Sequence, residues 1–573
     1  MTTNAAADDL SPLEWALLDA VARDEPLVVA DECPGEVTGS AGSVRAQVVR
    51  DILLGRPVGG QRVEPGPRGV RMWGVVVSGQ LDLAAVRSPV PLHLTRCRLR
   101  QPAVLADARI PQLILNGSHL PGVEAERLRV DSNLMLADTV ITAAGSSCAV
   151  RLLGAVVGGQ LSFTDAALRA GGDCALHADG IGVDGDLLLR GVGHRFTADA
   201  GGKRGAVRLN GARIGGNLEC DHADLAASKG PALTLERAEI KGNLYLRDVW
   251  ATGGPPAAVV LVGAQVGGQL SCTGSRLGCA EGTAMVGDDF QAGGGVFLND
   301  GFHANGGRGH PAVRLIGARI GGHLDCVGGV LWAAGREDLV LDLRFASVGK
   351  LLRLSTRGAT QADPGDPRPA LGEPGLVALD GLTYPVPPEG MDCAEWIDVL
   401  GRQTPSFTAQ PYQQLAGTYR AAGRERDARQ VLIARQHDLL RRGDLTGWSR
   451  ERHRALGLLL GYGYQSWRSL VALVATVMVA VVFVLALARW SGAVVHPSRP
   501  GGPVVACATV EQIGVGIDLA LPLIQTGAGS TCELAASRPA EEPLVALSWV
   551  FQVFGWAFAT LFVAGYTGLI RTV

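Results

Sequence analysis

Short stretches in which apolar and polar residues alternate recur from Val70 to about Gly358. The clearest copies span Val150–Phe163, Val207–Cys220, Leu233–Leu246, Val259–Cys272 and Val313–Cys326, and weaker ones span Val70–Leu83 and Leu341–Leu354. Alternation with a period of two, interrupted by glycine, is typical of short strands joined by tight turns. The pattern therefore predicts many short strands rather than helices in this part of the chain.

Aligned copies place apolar residues in two columns. The first column contains Val157, Val183, Ile214, Ile240, Val266, Ala292, Ile320 and Val348. The second contains Leu161, Leu187, Leu218, Leu244, Leu270, Val296, Leu324 and Leu352. Within each column the spacing is 26 to 31 residues, and a repeat of this length built from short strands is typical of a β-solenoid.

We therefore predict a mainly β fold, with a parallel β-solenoid of about ten coils over residues 61–358. Stacked coils would bury a continuous apolar core. Leucine-rich repeats have a similar period and remain an alternative, although their asparagine-centred leucine pattern is absent.

Small helical caps are predicted at the ends of the solenoid. Residues 1–60 would form the N-terminal cap, with one helix over 10–22 and a second over Ser43–Leu54. Ser11 is placed as the N-cap of the first helix, and Glu14 is placed to complete a capping box. Capping matters because open strand edges favour aggregation.

Two further segments follow the repeat. Residues 359–390 are rich in proline, glycine and aspartate, which predicts a linker around one last strand, Leu376–Tyr384. Residues 391–460 are predicted to be a helical juxtamembrane domain containing a single tetratricopeptide-like copy. One copy cannot bury its own apolar face, so this segment would act as a cap or a joint.

Residues 461–573 are predicted to be a transmembrane domain with two spans, 469–489 and 543–570, forming a helical hairpin. Each stretch is long enough to cross a hydrocarbon core of ~30 Å as a helix. Tryptophan residues flank or lie within both stretches, as in an aromatic belt. Two buried core helices are the alternative, which is disfavoured because apolar runs this long are rare in soluble domains.

Arginine is distributed unevenly around the two spans. Six arginines lie just before the first span, at positions 441, 442, 450, 452, 454 and 468, whereas the intervening segment holds only Arg499 and Arg538, with Arg489 at its edge. By the positive-inside rule, a cell-membrane protein of this kind has both termini in the cytoplasm. Cys507 and Cys532 would then lie outside the cytoplasm, where we predict that they form a disulfide.

Composition adds two constraints. Glycine accounts for 78 of the 573 residues, roughly twice the usual share, which agrees with many tight turns. The net charge is only −3, so bulk charge gives no reason to expect a nucleic-acid partner. We predict none.

Candidate chemistry is sparse. Gly180, Gly182 and Gly185 match the GxGxxG pattern, but the dinucleotide fingerprint needs a following helix, and strand-like residues follow here. These glycines are weak cofactor-binding candidates, and we predict no cofactor. His303 and His310, in the glycine-rich loop 300–310, are weak metal-binding candidates, and we predict no bound metal.

Two further columns are interpreted as structural. Cys220, Cys272 and Cys326 are spaced two coils apart, beyond disulfide reach, and are predicted to be small core residues. A polar column that precedes the second apolar column would form a hydrogen-bonded ladder. Its members are Gln80, Gln160, Asp186, Asn217, Asn243, Gln269 and His323.

Several segments occur together in a specific order: the repeat, LDGLTY (Leu379–Tyr384), PYQQLAGTYRAAGRERDARQVLIARQ (Pro411–Gln436), GYGYQSWRSL (Gly461–Leu470) and GWAFATLFVAGYTGLIR (Gly555–Arg571). The combination resembles a family of actinobacterial membrane proteins often labelled "membrane-associated oxidoreductase". The resemblance covers nearly the whole chain. It implies a membrane location and, by the label alone, redox activity without assigned site residues.

Three functions are consistent with these observations. The first is a membrane-anchored cytoplasmic scaffold with no visible catalytic site, whose flat faces bind a protein partner or mediate self-association. The second is an oxidoreductase, as the resemblance implies, and the third is an oligomeric channel or transport accessory. The lipid membrane is the other predicted partner.

Overall fold

The protein is described from a computed structural model that covers residues 10–35, 42–145, 147–335, 338–355, 375–443, 446–447, 450–451, 467–490, 494–496, 505–521, 526–534 and 542–566. The chain divides into two compact units. The first comprises Met1–Arg424 and the second Glu425–Val573. The division falls inside the segment 391–460 that the sequence predicts as one helical domain.

The first unit is a four-sided parallel β-solenoid, which confirms the predicted fold. In its described residues, four sheets of thirteen, twelve, eleven and ten strands run along its sides, and neighbouring strands within each sheet are parallel. The chain visits the third, fourth, first and second sheets in turn, so one strand of each makes one coil. Most strands have only two residues, because each side of a coil ends in a turn.

The strand bounds of the four sheets are as follows. The first sheet contains Leu27–Val28, Val70–Trp73, Leu92–Thr95, Leu113–Ile114, Leu134–Met135, Leu161–Ser162, Leu187–Leu188, Leu218–Glu219, Leu244–Tyr245, Leu270–Ser271, Val296–Phe297, Leu324–Asp325 and Leu352–Arg353. The second contains Ser43–Arg45, Val76–Ser78, Arg98–Leu99, His119–Leu120, Val140–Ala143, Ala167–Ala170, Phe196–Ala200, Ala223–Ala227, Trp250–Gly253, Arg276–Cys279, His303–Gly306 and Val330–Ala333. The third contains Ala103–Val104, Val123–Glu124, Val150–Arg151, Leu176–His177, Val207–Arg208, Leu233–Thr234, Ala257–Val260, Thr283–Val286, Val313–Arg314, Leu339–Asp342 and Leu376–Ala378. The fourth contains Arg109–Ile110, Arg129–Val130, Val156–Val157, Gly182–Val183, Arg213–Ile214, Glu239–Ile240, Gln265–Val266, Gln291–Ala292, Arg319–Ile320 and Ser347–Val348.

Both predicted apolar columns are register columns of the solenoid. Val157 pairs with Val183 in the fourth sheet, and the pairing continues in the same register as far as Val348. Leu161 pairs with Leu187 in the first sheet, and that column continues to Leu352. All sixteen side chains are buried, so the two columns form two walls of the core.

The early coils are shorter than those that define the predicted repeat. Leu92 pairs with Leu113, and Leu113 pairs with Leu134, a spacing of 21 residues. In these coils, buried residues recur at intervals of five positions. Leu105, Ile110 and Leu115 form one such series, and Ala103, Ala108 and Leu113 form a second series two positions earlier. Each side of these coils is therefore about five residues long.

The N-terminal end is closed by helix Pro12–Ala22, as predicted, with Ser11 as its N-cap and a capping box to Glu14. The buried Glu14 carboxylate also accepts hydrogen bonds from the backbone N–H and side chain of Arg45. The second helix spans Ala46–Leu53 and begins later than predicted. Ser43–Arg45 instead forms a strand beside Val76–Ser78, because it continues the second sheet.

The C-terminal end of the solenoid carries one last strand and two helices. The strand spans only Leu376–Ala378, shorter than predicted, because the chain turns at Gly381, whose φ is +76°. Helices Cys393–Arg402 and Ala409–Ala421 follow. Gln410 and Gln414 on the second helix donate hydrogen bonds to the carbonyls of Leu382 and Tyr384, respectively, at 3.0 and 2.6 Å, so this helix is attached to the last turn.

The second unit is mainly helical. Its helices are Glu425–Arg442, Trp467–Trp490, Thr509–Ala520, Ala528–Thr531 and Glu542–Tyr566, and a two-stranded sheet joins Val494–Val495 to Glu533–Leu534. Among the described residues, helix Trp467–Trp490 and the stretch Leu547–Ala564 of helix Glu542–Tyr566 are long and apolar enough to cross a membrane. The two helices contain the predicted spans, except that residues 567–570 lie outside the described residues. Helix Thr509–Ala520 packs against both long helices.

Candidate functional site

A groove runs along the fourth sheet of the solenoid. It has a volume of about 600 Å³ and crosses five successive coils. Its lining comprises Glu239–Lys241, Gln265–Gly267, Gln291–Gly293, Arg319–Gly321 and Ser347–Gly349. We call this surface the fourth-sheet groove.

Strand periodicity and glycine together create the groove. In each of its strands the second residue is buried in the core, while the first points outward. Glycine follows the strand in four of the five coils, so no side chain fills the adjoining space. A Cβ atom on Gly267 would lie 2.2 Å from the Lys241 carbonyl oxygen of the preceding coil, which shows how closely the coils approach there.

The groove contains three charged side chains, Glu239, Lys241 and Arg319. Some other arginine and aspartate side chains of the solenoid pair between successive coils, as in Arg208–Asp179 at 2.7 Å and Arg314–Asp288 at 2.6 Å. Among the described residues, no ion pair involves Glu239, Lys241 or Arg319. The groove therefore presents one carboxylate and two cationic groups that are available to a ligand.

The predicted polar column forms a hydrogen-bonded ladder in its central part. The Oδ1 atom of Asn217 accepts hydrogen bonds from the backbone N–H of Asn243 at 2.8 Å and from its side-chain amide at 3.1 Å. Asn243 in turn accepts from the backbone N–H of Gln269, and Asp186 from that of Asn217. The ladder thus links side chains mainly to the next backbone, a structural role.

The GxGxxG motif folds as part of a coil. Gly180 lies in a turn with φ +69°, and Gly182 lies in a strand that is followed by strand Leu187–Leu188 rather than by a helix. Gly182 itself is not required by the backbone, because it lies in a strand and a Cβ there would meet nothing within 4 Å. At Gly185 a Cβ would lie 2.9 Å from the Gly159 carbonyl oxygen, so this glycine permits coil packing.

The two candidate histidines lie in different environments. His303 begins a strand of the second sheet and is half-buried, whereas His310 is exposed in the following turn. The predicted glycine-rich loop is therefore largely one side of a coil. Neither histidine belongs to the two groups of potential metal ligands found among the described residues.

The three cysteines of the repeat column are buried and unbonded to one another. Cys220 and Cys272 have no exposed surface, and Cys326 is 7% exposed. Burial raises the pKa of all three thiols, that of Cys326 to about 12. These thiols are therefore protonated at neutral pH and unsuited to nucleophilic or metal chemistry, which supports their predicted role as core residues.

Cys507 and Cys532, paired in the prediction, are joined by a disulfide with a Cα–Cα distance of 6.3 Å. The bond lies in the second unit, in a small apolar cluster with Val484, Val494 and Val515. Nearby, His496 Nε2 lies 3.3 Å from a Glu511 carboxylate oxygen. His496, Cys507, Glu511 and Cys532 form one of the two groups of potential metal ligands.

The other group was missed by sequence reasoning. Cys148 and Cys174 occupy equivalent positions in adjacent coils, two residues before the paired Val150 and Leu176, and are joined by a disulfide with a Cα–Cα distance of 4.7 Å. His177 lies beside them, and its ligand nitrogen and the two sulfurs all lie within 4.8 Å of one another. The signal was present in the sequence, since the cysteines are 26 residues apart, one repeat length.

Comparison with models of known protein families, with curated proteins and with solved structures finds no match to this chain.

Proposed function

We propose that this protein is a membrane-anchored scaffold whose fourth-sheet groove binds an extended segment of a partner protein. The observation that carries the proposal is the groove itself, with its unpaired Glu239, Lys241 and Arg319. A groove whose charged groups form no ion pair with other described residues supports recognition of a ligand that supplies complementary charges. Gln265 and Gln291, between these charges, offer amide donors and acceptors for a peptide backbone.

The dimensions of the groove support an extended polypeptide. Five coils are separated by four steps of ~4.8 Å, a length of about 19 Å, which accommodates roughly six residues of extended chain. Repeat proteins commonly use such long, regular surfaces for binding. The outward side chains of its five strands, Glu239, Gln265, Gln291, Arg319 and Ser347, are all polar or charged, which favours a segment bound through its backbone over a large apolar partner surface.

The lipid membrane is the second proposed partner. Helices Trp467–Trp490 and Glu542–Tyr566 would cross it as a hairpin, and the arginines before the first helix favour a cytoplasmic location for the solenoid and both termini. The segment that contains Cys507 and Cys532 would then lie outside the cytoplasm. Anchoring would retain the scaffold, together with any bound partner, at the membrane.

Photo-crosslinking in the native cells tests the groove. A photoreactive amino acid at position 265 or 291 of the full-length protein is expected to form a covalent adduct with one discrete polypeptide. The same amino acid at position 129, exposed in the same sheet but outside the groove, is the matched control and should not form that adduct. The adduct should weaken on Arg319→Glu, which reverses a groove charge. Equal adducts at all three positions, or none, would contradict the proposal.

The proposed topology has its own test. Thiols are blocked in intact cells before lysis, and the protein is then digested without reductant and analysed by mass spectrometry. We expect a linked peptide joining Cys507 and Cys532, since an extracytoplasmic location favours oxidation. The disulfide closes a loop between residues separated by 25 positions. Such a closure contributes roughly 3 kcal/mol to the free energy of unfolding, because it constrains the unfolded segment. Recovery of both cysteines as blocked free thiols would refute the bridge.

The oxidoreductase alternative makes a different prediction at Gly182. We expect the full-length protein to show no saturable binding of NAD(P)H or FAD at concentrations near 1 mM, a value on the order of the upper end of physiological substrate levels. Gly182→Ala provides the check, because the added methyl group meets nothing within 4 Å and leaves the coil intact. Binding to the wild type that Gly182→Ala abolishes without lowering the melting temperature would favour the enzyme.

A further inference from the structure

The group formed by Cys148, Cys174 and His177 has the composition of a metal site. Two sulfurs and one imidazole nitrogen within 4.8 Å of one another form a ligand set that zinc accepts, with Zn–S distances of ~2.3 Å and Zn–N distances of ~2.0 Å. All three residues are buried, and His177 is only 7% exposed. Stacking of adjacent coils supplies the two cysteines, and the Cys-x-x-His spacing supplies the histidine.

The hydrogen bonding of His177 provides a second, independent observation. Its Nε2 atom lies 3.1 Å from a carboxylate oxygen of Asp179, while its buried Nδ1 atom has no hydrogen-bond partner among the described residues. If Nε2–H donates to Asp179, Nδ1 carries a lone pair. Ligating histidines in metalloproteins are commonly oriented in this way by a carboxylate bound to the other nitrogen. An unsatisfied buried nitrogen is otherwise costly, so it points to a ligand.

Neighbouring residues hold the Asp179 carboxylate in place. Arg208, one coil further on, donates to Asp179 from Nε at 3.2 Å and from Nη2 at 2.7 Å, and the backbone N–H of Asn210 donates at 3.0 Å. His177 itself is paired in register with Arg151 on one side and Arg208 on the other. The contacts from Arg208 and Asn210 thus fix the Asp179 carboxylate beside the His177 imidazole.

We propose that, when Cys148 and Cys174 are reduced, their thiolates and His177 Nδ1 bind a zinc-like divalent cation, and that Asp179 is a positioning residue for His177. Binding releases the two thiol protons. Three protein ligands leave a fourth tetrahedral position for water. This inference concerns a different surface from the fourth-sheet groove and does not depend on what the groove binds.

The disulfide and the metal site are alternative states of the same two sulfurs. A thiol-specific oxidant such as oxidised glutathione would take two electrons from the thiolate pair, releasing the cation and forming the Cys148–Cys174 bond. The oxidant would leave as two molecules of the reduced thiol after taking up two protons. A cytoplasmic solenoid favours the reduced, metal-binding state.

Zinc measurements on the full-length protein in detergent test the proposal. Protein reduced with a phosphine is incubated with Zn²⁺, passed through a desalting column and analysed for bound metal. The wild type is expected to retain one more equivalent of zinc per chain than Cys174→Ser or His177→Gln. The double variant Cys507→Ser/Cys532→Ser is the matched control for the second group and should keep that equivalent. If the wild type is first oxidised with oxidised glutathione, it should no longer retain this additional equivalent of zinc.

Two readouts separate ligation from folding. Co²⁺ in place of Zn²⁺ should give thiolate-to-cobalt charge-transfer absorption in the wild type but not in Cys174→Ser. Asp179→Asn, which keeps all three ligands, should weaken zinc binding by about 10- to 100-fold. The proposal is overturned if the reduced wild type binds no zinc, if His177→Gln binds as much as the wild type, or if Asp179→Asn leaves the affinity unchanged. None of these results would affect crosslinking from the groove.

Discussion

Ile320→Asp is expected to unfold much of the solenoid, whereas Arg319→Asp should leave its stability almost unchanged. The two residues are adjacent in one strand, but Ile320 is 2% exposed and stacks between Ala292 and Val348, while Arg319 is exposed. An unpaired carboxylate in the core costs about 3 to 5 kcal/mol, a large share of a typical stability of about 5 to 15 kcal/mol. Arg319 is paired in register with the uncharged Gln291 and Ser347, so a carboxylate there faces no like charge in either neighbouring strand.

Thermal unfolding of the full-length variants in detergent, followed by circular dichroism in the β region, measures the difference. The expected order is a large fall in melting temperature for Ile320→Asp and a small change for Arg319→Asp. The reverse order would mean that the inside and outside of the solenoid are wrongly assigned.

Gly267→Ala is expected to destabilise the solenoid by about 1 to 3 kcal/mol, the usual cost of overpacking. The new methyl group would lie 2.2 Å from the carbonyl oxygen of Lys241, so the two coils would have to separate. Gly182→Ala is the matched control in the same sheet, because its methyl group meets nothing within 4 Å. Removing a glycine there also restricts the unfolded chain, so this variant should be as stable as the wild type or slightly more so.

Chemical denaturation of the same full-length protein checks this pair. A lower midpoint for Gly267→Ala, with Gly182→Ala at or above the wild-type midpoint, is the expected result. Equal effects would show that close approach between coils is not what requires glycine along the groove.

The register of the main coils could be predicted from the sequence because two independent signals agree. The spacing within a column aligns one coil with the next, and the period of two decides which face each residue takes. Ile214 and Leu218 show both signals, and each lies in the wall that its column predicts. An error of one residue in the register would have exchanged the buried and exposed faces of a strand. Because the two signals agree, the sequence predicts which residues form the core as well as the fold.

The early coils were harder to recognise because their period is different. Between Ala103 and Val130, buried residues recur every five positions, since each side of the coil is shorter. Small residues such as Ala103, Ala108 and Ala125 occupy several of these positions. Alanine is only weakly hydrophobic, so it marks a buried position less clearly than leucine or isoleucine does. Coils of 21 residues also do not align with the repeat of 26 or more residues that follows them.

The ends of the elements and the close contacts between coils could not be predicted from local sequence patterns, because they depend on which strands pair in the folded protein. Ser43–Arg45 could continue a helix on propensity alone, but pairing with Val76–Ser78 makes it a strand. Cys148 and Cys174 likewise become neighbours only once the coils are aligned. The groove depends on glycines in successive coils, whose effect is visible only when the strands are stacked.

Electron cryomicroscopy of the full-length protein, isolated from its native membranes after mild crosslinking, shows directly whether the fourth-sheet groove binds a partner. We expect elongated density along the groove, crossing the strands from Glu239–Ile240 to Ser347–Val348, contributed by a second polypeptide. An empty groove in particles that carry a partner bound to another surface would contradict this expectation.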